Sequence, residues 1–279
     1  MYKVRVWDCG EDTKYCLYLD EYSNVYKKNN KMVVFDTSYE AHVACKVLNE
    51  KITRKQPTIG TELEFEIGTY DGETQVVNSL REKTIPLCTA IKYDGSLHNC
   101  FELNNCYIPI KGWELKKIRD LIDSIKEYEP NNIRNTAGQH VHVFGPDNSK
   151  VLRLIKYNYS KFLEFIEPIC ARDRYLRDSN GNITGNKHYG LKQDAFRSNG
   201  GFTTLEIRAF AASPDPRVIK DRLVVCDALY KALAHYGSWC DIYKRLSKKG
   251  QKAYKRLLEN KDNPHCFGAD TQTMLAKFN

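Results

Sequence analysis

Three short segments of the chain alternate apolar and polar residues, and this alternation restricts the fold more than any other sequence feature. They occupy residues 58–68 (TIGTELEFEIG), 139–145 (QHVHVFG) and 202–210 (FTTLEIRAF). Side chains at positions i and i+2 of a β-strand lie on the same face. The two-residue period therefore predicts three strands, each with one apolar and one polar face, as is typical of antiparallel sheets.

The polar faces of these strands carry side chains that bind cations or anions. They are Glu62, Glu64 and Glu66 in the first strand, His140 and His142 in the second, and Glu206 and Arg208 in the third. Neighbouring carboxylates about 7 Å apart on one strand repel one another, and a divalent cation relieves that repulsion. Imidazole also binds metals, and arginine binds carboxylate or phosphate through paired hydrogen bonds. Each strand alone is more typical of a solvated sheet face, but together they predict one concave, cation-rich site.

The rest of the chain mixes strands and helices without a regular β-α-β alternation. Segments 85–95 and 98–105 are predicted as a hairpin with an Asp94–Gly95 turn, and helices are predicted over 111–128, 149–169 and 238–258. Asp215 and Pro216 are expected to begin another helix. Its predicted buried face comprises Val218, Ile219, Cys226, Leu229 and Leu233. This mixture favours an α+β fold with an antiparallel sheet and packed helices.

The chain is predicted to divide into three parts. Residues 1–55 combine short alternating runs over 2–35, interpreted as an antiparallel meander, with a helical pattern over 38–51. This pattern predicts a small N-terminal β/α module. Residues 56–236 are predicted to form the main domain, which carries the three alternating segments, and residues 237–279 a basic C-terminal helix and tail.

Composition restricts the environment and the partners. Lysine and arginine outnumber aspartate and glutamate by 43 to 35, a net charge of +8. This excess suits a nucleotide, a nucleic acid or another polyanion, although it equally serves solubility. The 10 cysteines lack CxxC spacing, and we find neither a signal peptide nor an apolar run of the ~20 residues that a membrane span needs. We therefore expect a reduced, cytoplasmic protein with no membrane association.

The motifs TELEFE, YDGSL, FEL, AGQHVHV and TTLEIRAF, in this order, resemble the amidoligase family of carboxylate–amine ligases. That family belongs to the glutamine synthetase and glutamate–cysteine ligase superfamily, and the resemblance covers residues 58–235. It implies a glutamine-synthetase-like catalytic domain whose curved antiparallel sheet binds ATP and several Mg²⁺ or Mn²⁺ ions. Members phosphorylate a carboxylate and let an amine displace the phosphate. A small enzyme of this type would fit a bacterium or its phage.

The resemblance also implies a role for each matching residue. Metal ligands would be Glu62, Glu64, Glu102, His140 and Glu206. His142 would contact the nucleotide or its phosphates, and Arg208 would hold an anion. Arg172 or Arg174 is expected to hold phosphate or the substrate carboxylate. The predicted catalytic groups are therefore Arg208, Arg174 and His142, and the predicted nucleotide contacts are His142, Arg208 and Arg172.

Two other functions stay open at the level of sequence. A metal-dependent nuclease or other hydrolase would use the same carboxylates and histidines without ATP. A nucleic-acid-binding protein would use the basic helix over 238–258, where Tyr243 and Tyr254 stand among many cations. For a ligase, the acid and amine substrates could be small molecules, peptides or a modified macromolecule. The oligomeric state is not indicated.

Overall fold

A computed structural model describes most of the segments that carry these motifs. The described residues are 2–7, 17–20, 30–35, 57–66, 76–80, 85–93, 100–105, 108–126, 137–170, 191–195, 203–260 and 276–278. The predicted helix over 38–51, the turn at Asp94, and both Arg172 and Arg174 lie outside these ranges.

Six antiparallel strands form the main sheet. In chain order they are β4 (Thr58–Glu66), β5 (Cys88–Tyr93), β6 (Cys100–Asn105), β7 (Gly138–Phe144), β8 (Leu191–Ala195) and β9 (Thr203–Ala211). Their order across the sheet is β5-β6-β4-β7-β9-β8. The predicted hairpin between 85–95 and 98–105 is confirmed, because β5 pairs antiparallel with β6. The three alternating segments form β4, β7 and β9, which are adjacent at the centre of the sheet.

One face of this sheet is apolar and lies under helices. Its central strands contribute Leu63, Phe65, Val141, Val143, Leu205 and Ile207, all of which are buried. The covering helices are α2 (Asn148–Tyr157), α3 (Tyr159–Cys170) and α4 (Pro216–Tyr236), which pack over β7, β8 and β9. The two-residue period therefore identified the core side of each central strand correctly, and the α+β class is confirmed.

Helix α4 begins where Asp215 and Pro216 predict it. The Asp215 side chain accepts a hydrogen bond from the Arg217 backbone N–H, and Pro216 occupies the first helical position. Gly237 ends the helix with a left-handed φ of 63°, a conformation that costs glycine little. The five residues predicted to form the buried face of this helix are all buried.

The helix predicted over 149–169 is wrong as a single element. Asn158 interrupts it between α2 and α3, with φ −126° and ψ 42°. Its side-chain N–H donates to the Leu154 carbonyl at 3.0 Å, so the side chain competes with backbone bonding at this point. The apolar spacing continues across the break, which is why periodicity alone did not reveal it.

Two other predicted helices are shorter than expected. The segment 111–128 forms a 3₁₀ turn at Ile110–Gly112, followed by α1 over Leu115–Asp123. The basic segment 238–258 forms α5 (Ile242–Arg245) and α6 (Lys248–Glu259). Ser247 separates them as an N-cap, because its hydroxyl accepts from the Gly250 backbone N–H. Within the described ranges, no helix combines the length and apolarity needed to cross a membrane.

The N-terminal strands form a separate three-stranded sheet. They are β1 (Tyr2–Trp7), β2 (Leu17–Asp20) and β3 (Asn30–Phe35), and both pairings are antiparallel. Their order is β2-β1-β3, so the prediction of a meander was wrong. The sequence could not reveal this order, because alternation marks each strand but not its partner. Here β3 pairs with the free edge of β1 instead of with β2. The division at 55/56 and 236/237 stays a prediction.

Lys220 on α4 gives the fold a specific dependence on pH. Burial and the neighbouring Lys249 lower its pKa to about 8, against the opposing effects of Glu114, Asp221 and Asp227. In the unfolded chain a lysine has a pKa of about 10.4. Between about pH 8 and pH 10.4 the unfolded state therefore binds more protons than the folded state. The destabilisation that Lys220 causes is complete below about pH 8, and it disappears as the pH rises above about 10.

Lys220→Met removes this charge and also the hydrogen bond from Lys220 Nζ to the Ile110 carbonyl, 3.1 Å long. We therefore expect the melting temperature of the variant, relative to wild type, to be more favourable at pH 7 than at pH 10. Thermal unfolding across this pH range measures the difference between variant and wild type. Lys116→Met, at a lysine whose side chain is 80 % exposed, is the control. A gain that grows with pH, or that the control reproduces, would contradict the assignment to Lys220.

Candidate metal centre

The polar face of the central strands brings the predicted residues into register. Glu62 on β4 lies opposite His140 on β7, and His142 lies opposite Glu206 on β9. On the other side of β4, Glu64 lies opposite Glu102 on β6. The prediction that the three alternating segments share one sheet, with their polar residues side by side, is therefore confirmed.

Glu62 lies between the two histidines. One of its carboxylate oxygens is 3.0 Å from His140 Nδ1, and the other is 3.3 Å from His142 Nε2. Burial by itself would raise the pKa of Glu62, but the charge of a protonated His142 and the hydrogen bonds with both rings hold that pKa well below its usual range. This environment favours the carboxylate form of Glu62. Because metal binding needs a neutral His142, a bound cation would take the place of the proton on that ring.

His140 connects Glu62 with a second carboxylate on the same strand. Its Nε2 atom lies 3.4 Å from a Glu64 oxygen, and its Nδ1 atom lies 3.8 Å from a Glu206 oxygen. The other Glu64 oxygen accepts a hydrogen bond from the Gly138 backbone N–H at 2.6 Å. Thr61 donates to the His140 carbonyl at 2.7 Å and so fixes the local backbone.

Glu206 and Arg208 form an ion pair at the edge of this group. Arg208 Nη1 donates to a Glu206 oxygen at 2.9 Å. The Glu206 side chain is 1 % exposed, whereas the Arg208 side chain is 23 % exposed. The guanidinium therefore joins the buried carboxylate to the more open part of the site, where an anionic ligand could reach it.

A β-bulge in β9 lies beside these two residues. Between the pairs Val141–Ile207 and Gln139–Phe210, β9 advances three residues while β7 advances two. Bulges redirect side chains and are frequent next to active sites. Sequence reasoning missed this bulge, because the alternation through Arg208 gives no sign of an extra residue.

Three donor atoms on this face have the spacing of a metal site. One atom each from Glu62, His142 and Glu206 lies within 4.8 Å of the other two. Carboxylate oxygens suit Mg²⁺ and Mn²⁺, and imidazole suits Mn²⁺ better than Mg²⁺. The donor set therefore fits a divalent cation.

The triad contains His142, whereas the family resemblance assigned the ligand role to His140. The arrangement supports an exchanged assignment, in which His142 is a ligand and His140 orients the carboxylates around it. Which histidine binds metal stays a prediction.

Glu102 lies on the same face but outside the triad. It is half-buried, and it accepts a hydrogen bond from the Asn104 side chain at 2.5 Å. Asn104 is itself buried and lies opposite Glu62 in the strand register. Sequence reasoning missed Asn104, which has no distinguishing spacing. Of the other predicted site residues, Glu66 has a described backbone only, and both Arg172 and Arg174 lie outside the described residues.

The core side of the sheet holds β7 and β9 in place behind the site. Arg222 on α4 donates to the Gln139 side chain at 3.2 Å and to the Ala211 carbonyl at 2.5 Å. Its guanidinium also lies 5.1 Å from the centre of the Phe210 ring. These contacts join α4 to both strands next to the bulge, and they were not predicted.

No protein-family model matches the chain, and no curated protein matches it significantly. The functional interpretation therefore depends on the geometry of the polar face and on the order of its motifs.

Proposed function

We propose that the chain is an ATP- and metal-dependent carboxylate–amine ligase of the amidoligase type. The observation that carries the proposal is the Glu62–His142–Glu206 donor triad with Arg208 in contact with it. The order of the motifs, which resembles that of the amidoligase family, supports the use of ATP and the formation of an amide. On this proposal the six-stranded sheet corresponds to the curved catalytic sheet of the glutamine synthetase superfamily.

Glu62, His142 and Glu206 would hold one divalent ion, and Glu64 and Glu102 are the carboxylates on the same face that would serve a second. A bound Mg²⁺ or Mn²⁺ ion supplies positive charge that neutralises nucleotide phosphates during phosphoryl transfer. The buried setting strengthens this effect, because charges interact more strongly where water is excluded.

Arg208 would stabilise the negative charge of the transferred phosphoryl group. Its pair with Glu206 fixes the guanidinium beside the metal ligands before substrate arrives, so little reorganisation is needed. His140 would keep the Glu62 and Glu64 carboxylates in position, since its two ring nitrogens contact one of them each. Arg172 or Arg174 would add a second anion contact.

The chemistry has two steps. A substrate carboxylate oxygen attacks the γ-phosphorus of ATP, the bond to ADP breaks, and an acyl phosphate forms. An amine then attacks the acyl carbon, inorganic phosphate leaves with the bonding electrons, and the nitrogen loses a proton to give the amide. The first step is needed because oxygen leaves a carboxylate poorly, whereas phosphate is a good leaving group.

The experiment that tests this function replaces the unknown amine with hydroxylamine. Purified protein is incubated with MgATP, hydroxylamine and pools of amino acids, dicarboxylic acids and carboxylate-ended peptides. We expect ADP release and a hydroxamate from at least one pool, both lost in Glu206→Gln. Glu164→Gln, at an exposed carboxylate paired with Lys277, is the matched control and should retain activity.

Cleavage of a phosphodiester or peptide with Mn²⁺ alone, without ADP or hydroxamate from any pool, would contradict the ligase. It would instead support the metal-dependent hydrolase that the same donor set permits.

A further inference from the structure

Two exposed tyrosines distinguish one outer surface of the protein. Among the described residues, Tyr157 and Tyr236 are the large hydrophobic side chains that are exposed, at 84 % and 49 %. Tyr157 is the last residue of α2, and Tyr236 is the last residue of α4. In contrast, Tyr243 and Tyr254, which the sequence suggested for nucleic-acid contacts, are both buried and cannot stack on a base.

The helix segments that carry the two tyrosines are in contact with each other. Lys150 Nζ on α2 donates to the Ala234 carbonyl at 2.5 Å, which joins α2 to the end of α4. Trp239 Nε1 donates to the Leu154 carbonyl at 3.1 Å, so the segment after α4 also contacts α2. The Arg245 guanidinium on α5 lies 4.6 Å from the centre of the Tyr236 ring.

This surface is strongly cationic. We call it the tyrosine–cation surface, and its residues are Lys150, Arg153, Lys156 and Tyr157 on α2, Tyr236 on α4, and Lys244 and Arg245 on α5. Within residues 148–157 and 234–245, these five cations stand against one carboxylate, Asp241. Its exposed cations are Lys150, Arg153, Lys156 and Lys244, while Arg245 is half-buried against its tyrosine.

We propose that the tyrosine–cation surface binds single-stranded nucleic acid. Lysine and arginine neutralise backbone phosphates, and exposed tyrosine rings give bases a face on which to stack. Arg245 against one ring extends this stacking platform with a cation–π contact. Cations and exposed aromatic rings on one surface distinguish it from an ordinary solvated helix face.

The composition disfavours other acidic partners. A membrane-binding helix inserts leucine, phenylalanine or tryptophan into the lipid, whereas the exposed rings here are tyrosines. A protein interface needs a packed apolar centre, and the described surface has cations around its two rings.

Two of the three helices that carry this surface, α2 and α4, cover the apolar side of the sheet, opposite the metal centre. Nucleic-acid binding is therefore separable from the proposed ligase activity, and it would be measured without nucleotide or metal.

The test is fluorescence anisotropy of the full chain with labelled oligothymidine, oligouridine and duplex DNA. The charge variant combines Arg153→Ala, Lys156→Ala and Lys244→Ala. The salt slope is the slope of the logarithm of the binding constant against the logarithm of the salt concentration. Loss of three phosphate contacts should reduce its magnitude by about 2 and should weaken binding by about 10-fold or more at low salt. Tyr157→Ala should weaken binding by about 5-fold or more without changing the salt slope. Tyr157→Phe keeps an aromatic ring and should bind like the wild type.

A charge-matched control combines Lys116→Ala, Arg119→Ala and Lys126→Ala, three exposed cations in and just after α1. It should bind like the wild type. Equal weakening by this control would show that net charge alone is responsible and would overturn the proposal. Tighter binding of duplex than of single strands would also overturn it. So would binding to phosphatidylserine vesicles without binding to any oligonucleotide, or binding to neither.

Discussion

Replacing Trp113 with alanine is expected to lower the free energy of unfolding by about 3–5 kcal/mol. The side chain is fully buried next to the start of β4, the strand that carries Glu62 and Glu64. Its Nε1 atom donates to the Ile59 carbonyl at 2.8 Å. Alanine would remove both the packing of the indole ring and this hydrogen bond.

The matched control for this prediction is Trp113→Phe, which keeps most of the apolar volume but lacks the N–H group. The Ile59 carbonyl also accepts from the Ile108 backbone N–H at 3.1 Å, so it would keep one partner. The phenylalanine variant should therefore lose only about 1 kcal/mol through the hydrogen bond. Thermal unfolding followed by circular dichroism should show a fall of about 10 °C for alanine. A fall below about 2 °C would contradict the structural role given to Trp113.

Replacing Glu206 with glutamine is expected to weaken Mn²⁺ binding by at least about 100-fold. Loss of a residue that only supports a ligand typically costs 10–100-fold, and Glu206 is itself a member of the donor triad. Glutamine keeps the side-chain volume and can still accept a hydrogen bond from Arg208. A loss of Mn²⁺ affinity would therefore be due to the lost negative charge. Electron paramagnetic resonance of free Mn²⁺ measures the affinity directly.

Glu164→Gln provides the control for this measurement, since its side chain is 64 % exposed and pairs with Lys277. It should bind Mn²⁺ like the wild type. Circular dichroism should confirm that both variants are folded. Unchanged Mn²⁺ affinity in the Glu206 variant would remove this residue from the metal site and with it the basis for the triad.

The sequence predicted best those features that depend on a short local pattern. Alternation through Leu63, Val141 and Ile207 separated the core face from the polar face, because one slip of register would move every apolar side chain to the polar face. Asp215 and Pro216 marked the start of α4, because their chemistry satisfies the first turn locally. The grouping of the acidic, histidine and arginine residues followed from these local patterns once the strands proved adjacent.

Features that leave the local pattern unchanged, or that depend on distant partners, could not be predicted in this way. The apolar spacing continues unchanged on both sides of the break at Asn158, so one continuous helix fitted the hydrophobic pattern equally well. The bulge near Arg208 is visible only when β9 is paired with β7. Asn104 lies beside Glu62 only because of the register between β6 and β4. Trp113 donates its hydrogen bond to a carbonyl 54 residues earlier in the chain.

The central claim is that the polar sheet face binds a metal–nucleotide complex, and thermal unfolding of the wild-type chain with and without MgATP tests it most directly. Nucleotide at a hundred times its Kd should stabilise the fold by about 2.7 kcal/mol. The account predicts a rise in melting temperature of about 5–10 °C that requires the metal and disappears in Glu206→Gln. A rise with Mn²⁺ alone and none with any nucleotide, or no rise with either, would contradict it.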